Sequence, residues 1–245
     1  KYLKRRANLI YDSVGYVFSF DTTILNNDTI KSVTEKAIKD WACETGVNFK
    51  FAHSDTNLTP NSTIYFGSTL TNYPDIIMYT DPSVVTECNQ GNSTRFEVFV
   101  TGETIEINNQ TNWDYDTTGN IQAGYESYYI NLLHELGHAH QLEHVLNTNE
   151  LMLPVISASV NSFTTNAIAG ALDVKSFTQN PTYSNCSRNP MLFIGSCNNG
   201  GTNDVNSIYK DVNFTLYPNP FNREVNIVFN EVDNTNTINT KSSGA

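Results

Sequence analysis

Residues 134–144 read HELGHAHQLEH, and no other stretch of the 245-residue chain constrains its fold and chemistry as tightly. His134 and His138 stand four apart, and on an α-helix such positions differ by roughly 40° around the axis. They therefore project side by side, one turn apart. Upstream, Tyr129, Leu132, Leu133 and Leu136 fall at i, i+3, i+4 and i+7, which predicts a helix from near Tyr125 with one apolar face. Both histidines point away from the centre of that stripe. The stripe can enter a core while the imidazole pair faces a cleft, and neutral imidazoles are good zinc ligands.

Glu135 sits between the histidines, turned toward the neighbouring face. There it can reach a metal-bound water without being a ligand. Zinc lowers the pKa of such a water toward neutrality and polarises a carbonyl, and a nearby carboxylate can take the proton and return it to a leaving amine. Metal-assisted amide hydrolysis is the reaction class these residue types support. A third ligand is needed. His140 lies roughly 200° from His138 on a continuing helix, which puts it on the apolar stripe as a packed core histidine. His144 serves if the helix stops near residue 141 and the chain turns back under the metal. His53 is remote and reads as an ordinary surface residue.

Around this helix the pattern is mixed. Residues 15–20 read as a strand, followed by a turn through Asn26-Asn27. Asp28 then stands in cap position before the stripe Ile30, Val33, Ala37 and Trp41, which stops at Gly46. Residues 47–52 and 63–66 read as strands, and 95–108 as a hairpin about Thr101-Gly102. A loop follows to residue 124, with Trp113 as a packing residue over the start of the histidine helix. A further helix spans about 165–174. Strands followed by helices and a β tail define an α+β domain.

Composition narrows the partners. Fourteen basic against 25 acidic residues give a net charge of −11, which argues against nucleic acid or an anionic membrane surface. No stretch approaches the ~20 apolar residues of a membrane helix. The basic run Lys1, Lys4, Arg5 and Arg6 reads as a solvated end or a propeptide remnant. Surface polarity is carried by Asn, Thr and Ser, as is common in exported proteins. Cys43, Cys88, Cys186 and Cys197 are an even number without a C-x-x-C pair, so two disulfides in an oxidising compartment are favoured over free thiols. Pairing 43–88 and 186–197 would be local, but the connectivity stays open. Asp114, Asp116 and Gly119 resemble the start of a calcium loop. Its twelfth position is Tyr125 rather than glutamate, so a plain Asp/Gly turn is the stronger reading.

The histidine run resembles the metzincin zinc peptidases, whose pattern is H-E-x-x-H-x-x-G-x-x-H followed by a methionine turn. His134, Glu135, His138 and His144 match it, and Met152 with Pro154 in ELMLP resembles the matrixin form of the turn. The resemblance covers roughly residues 11–178. It implies a matrixin-like catalytic domain, a twisted mixed sheet plus three helices. It further implies zinc on His134, His138 and His144, Glu135 as general base, and Met152 as an apolar floor beneath the metal. Val155–Val160 would wall the pocket for the residue after the cut. Structural calcium is common in such domains, though no motif here secures it. Two positions depart from the pattern. Gln141 stands where the family has a glycine in a left-handed turn, a strain of about 1 kcal/mol for other residues. Leu153 replaces a common tyrosine.

Residues 216–228, LYPNPFNREVNIV, resemble the opening of the C-terminal sorting domain of Bacteroidetes type IX secretion, over only about thirty residues. The expected organisation is an N-terminal tail (1–10), a catalytic domain (11–178), a linker with a Cys loop (179–210) and a partial sorting domain (211–245). The sequence thus predicts a secreted, monomeric zinc endopeptidase acting on protein or peptide substrates. The competing readings are an inactive surface binding protein on a peptidase scaffold and a narrow cell-envelope peptidase.

Overall fold

A computed structural model describes residues 9–10, 15–52, 58–73, 75–89, 96–146, 149–156, 159–179, 191–194, 213–217 and 226–230. The chain divides into two compact units, Lys1–Asn199 and Gly200–Ala245. In the first, the elements run β1 (Leu9–Ile10), β2 (Tyr16–Phe20), α1 (Thr22–Leu25), α2 (Asp28–Thr45), β3 (Phe49–Phe51), β4 (Ser62–Gly67), β5 (Met78–Asn89), β6 (Phe96–Asn108), β7 (Trp113–Asp114), β8 (Glu126–Ser127), α3 (Tyr128–Ala139) and α4 (Thr165–Gln179). The second holds β9 (Asn213–Tyr217) and β10 (Asn226–Asn230), paired antiparallel from Asn226↔Tyr217 to Asn230↔Asn213. No described helix is long and apolar enough to cross a membrane.

The main sheet is mixed. Strands β3, β2, β4 and β6 are parallel neighbours, β1 pairs parallel with β6 at Leu9↔Phe99, and β5 runs antiparallel to β6. Helices α2 and α3 bury their apolar residues against this sheet. Ile30, Val33, Ala37, Ile38 and Trp41 of α2 and Leu132, Leu133 and Leu136 of α3 share one core with Tyr16, Phe18, Phe49, Ile64, Ile105 and Ile107. Two polar contacts lock the helices together. Thr34 Oγ1 and Tyr128 Oη lie 2.8 Å apart, and Trp41 Nε1 donates to His140 Nδ1 at 3.0 Å. This is the α+β architecture expected from the strand-then-helix order.

Several local expectations are corrected. Residues 95–108 are not a hairpin: from Phe96 they form the single long strand β6. Gly102 sits instead at an irregularity, where the register against β5 shifts between Pro82, Val84 and Val85. A glycine there marks a bulge rather than a turn. The partner strand β5 has no counterpart in the sequence reading. Asn27, not Asp28, caps α2, its Oδ1 accepting from the amides of Thr29 and Ile30. The helix ends at Gly46 as expected, with φ +71°. Helix α3 starts at Tyr128 rather than Tyr125, because Ser127 Oγ accepts from the Ile130 amide and caps it. Trp113 covers that start, its ring edge-on to Tyr128 and its Nε1 donating to Asn108 O at 3.1 Å.

Candidate metal centre

Helix α3 ends where the second histidine has just been presented. The Gln141 amide donates to His138 O at 2.8 Å and the Leu142 amide to Gly137 O at 2.9 Å. Those two bonds with a left-handed residue between helix and loop form a Schellman motif, whose left-handed position is most often glycine. Here it is Gln141, at φ +67°. The chain reverses and returns His144 to the helix.

Three imidazoles then converge. His144 Nε2 lies 3.2 Å from His134 Nε2 and 3.0 Å from His138 Nε2. For ligand nitrogens about 2.0–2.1 Å from a tetrahedral zinc, the expected separation is about 3.3 Å. The far nitrogens fix the tautomers. His134 Nδ1 lies 2.7 Å from Leu151 O, and His138 Nδ1 2.7 Å from Leu142 O. A carbonyl only accepts, so each Nδ1 carries the proton and each Nε2 presents a lone pair. Lone pairs aimed at one point beside a third imidazole repel one another unless a cation lies between them. His134, His138 and His144 are the only group of three or more His, Cys, Asp or Glu among the described residues placed to hold a metal ion.

The site is more enclosed than the helical phase suggests. His134 and His138 are only 5% and 6% exposed, because the loop after α3 folds over them, while His144 is half-buried. The turn around Met152 fastens two histidines at once. Leu151 O accepts from His134, and Met152 O accepts at 2.8 Å from the amide of Val145, next to His144. Met152 is buried against α3, so a Cβ on Gly137 would overlap its Sδ and reach 3.2 Å from Trp41 Cη2. Pro154 and Val155 are exposed beyond the turn.

Glu135 is 6% exposed and its carboxylate is tied to the sheet, since Thr80 Oγ1 lies 2.6 Å from Glu135 Oε2. His140 packs in the core, fully buried, and burial together with Lys175 pushes its pKa down to about 3. Gln141 is also buried, its Nε2 donating to Glu103 Oε1 at 2.8 Å and to Ala139 O at 3.1 Å. Sequence reading missed Thr80, Glu103 and Gly137. Only Gly137 left a signal, as a small residue between the two histidines.

Asp114 closes β7, and the chain bends over residues 117–119. Asp114 accepts from the amides of Asp116 and Gln122, and Asp116 accepts from Thr118, which lowers the Asp116 pKa. The carboxylates are spent on the backbone, and nothing supports calcium there. Cys43, on α2, is not a free thiol. The side chains of Cys88, Cys186 and Cys197, and all of His53, lie outside the described residues.

A mixed sheet backed by two helices, one presenting a histidine pair with an intervening glutamate, defines a metallopeptidase of the metzincin kind. The matrixin family model matches residues 7–171, more than half of the chain, and the chain belongs to that family of zinc metallopeptidases. A search of curated proteins finds no significant match.

Proposed function

We propose that the chain is an exported zinc endopeptidase, with His134, His138 and His144 as metal ligands and Glu135 as general base. The observation that carries the assignment is the convergence of three Nε2 atoms at 3.0–3.2 Å, with both helix histidines oriented by carbonyls. Bound zinc supplies a Lewis acid for the scissile carbonyl and an acidified water. With the metal held there, Glu135 would be the residue that accepts the proton of the nucleophile and returns it to the leaving amine nitrogen. Met152 and Gly137 keep the floor beneath the histidines dry and closely packed.

The sheet supports cleavage within a chain rather than at its end. Among the described residues β5 pairs with β6 alone, as an edge strand. Such an edge can take an extended peptide as an added strand that continues past the site in both directions. Export by the type IX route is proposed from the tail motif, and paired cysteines from Cys43 agree with an oxidising compartment.

The test is digestion of an unfolded protein and a peptide library, with cut positions read by mass spectrometry. Internal cuts that vanish with a chelator and return with zinc support the reading. Terminal cuts only, or cleavage indifferent to the chelator, overturn it, and cuts confined to envelope-type peptides favour the narrow peptidase.

A further inference from the structure

Thr80 faces α3 from β5, opposite Ile105 in register, and is fully buried. Its Oγ1 lies 2.6 Å from Glu135 Oε2 and 3.1 Å from the Glu135 backbone oxygen. A hydroxyl has one proton to give. The Glu135 carbonyl lies inside α3, where it already serves as a helical acceptor. The shorter contact is within the range of a charge-assisted O–H···O⁻ bond, so the proton goes to the carboxylate. Threonine is stiff at χ1, and a strand fixes its direction, so this donor is held in place before any substrate arrives.

We infer that Thr80 is a positioning residue for Glu135. By engaging Oε2 it selects one rotamer of a side chain with three rotatable bonds. It also couples the base to β5, so the strand proposed to align the peptide is the strand that aligns the base. Thr80 touches neither substrate nor metal in this role. The inference rests on the assignment of Glu135 as general base.

Thr80→Val keeps the shape and removes the hydroxyl, while Thr80→Ser keeps the hydroxyl. In the full-length zinc-loaded chain, Thr80→Val is expected to lower kcat roughly 10- to 100-fold, as a misplaced catalytic group does. KM should change less than about twofold, zinc stoichiometry should stay at one, and Thr80→Ser should recover kcat to within about threefold, since only positioning is lost. In the zinc-free chain, urea denaturation should show Thr80→Val destabilising wild type but not the Glu135→Ala background, the signature of a direct coupling. An unchanged kcat in Thr80→Val, an equal fall in Thr80→Ser, or additive stabilities would overturn the inference. Should Thr80→Val fail to fold, Thr80→Ala carries the same expectations. Activity retained in Glu135→Ala would instead sink the general-base reading itself.

Discussion

Gln141 and Glu103 form a buried hydrogen bond of 2.8 Å across 38 residues of sequence, joining the loop after α3 to strand β6. It explains how a glutamine occupies the left-handed position that closes the metal helix. The backbone strain of about 1 kcal/mol at φ +67° is offset by a side chain that donates to Oε1 of a fully buried carboxyl group.

Restoring the family glycine should therefore destabilise the protein. Gln141→Gly relieves the strain but leaves the Glu103 carboxyl without this donor, which costs about 1–3 kcal/mol. The expected net loss is about 1 kcal/mol, with weaker zinc binding as His144 loosens. Gln141→Ala keeps the strain as well and should fall further. Urea denaturation of the three chains gives the order. A glycine variant as stable as wild type would remove Gln141 from any supporting role.

Gly137→Ala should also destabilise, against helix propensity, which favours alanine by about 1 kcal/mol. The added methyl would overlap Met152 Sδ and crowd Trp41. Overpacking of this kind costs about 1–3 kcal/mol. Displacing Met152 also disturbs the carbonyl that orients His134, so zinc affinity should drop with stability. Thermal midpoints and zinc titrations of the two chains decide it, and a midpoint equal to or above wild type would contradict the packing described.

His140 makes the fold acid-sensitive. Burial holds its folded pKa near 3, against an ordinary 6.5 in the unfolded chain. The unfolded chain takes up this proton first, so the stability present above about pH 6.5 is lost as pH falls toward 3, at about 1.4 kcal/mol per pH unit. His140→Phe leaves Trp41 Nε1 without its acceptor and should cost about 1–3 kcal/mol at pH 7.5. That deficit should vanish or reverse on acidification to pH 4, because wild type loses stability over this range and the variant has no such proton to bind. Zinc-free chains are compared by urea denaturation, so that the other histidines contribute alike. A deficit constant with pH would refute the assignment.

The histidine cluster was legible because its geometry is local: helical spacing places His134 and His138, and a short reversal returns His144. The enclosing contacts were not, since Glu103 and Thr80 reach the site through strand pairing rather than sequence proximity. Strand β5 was hidden by its own residues. Asp81, Pro82 and Asn89 are poor strand formers, yet an edge strand tolerates proline because one side of its backbone needs no partner. The Thr101-Gly102 pair shows the converse, a turn signal overridden when a long partner strand turned the glycine into a bulge.

The most direct test compares peptide cleavage by wild type and Glu135→Ala, each loaded with zinc and its metal content measured by mass spectrometry. One zinc per chain is predicted in both, with the turnover of the variant lower by roughly 10²–10⁴-fold, the contribution of a general base. Absence of zinc from the wild type, or equal turnover at equal zinc content, would contradict the account.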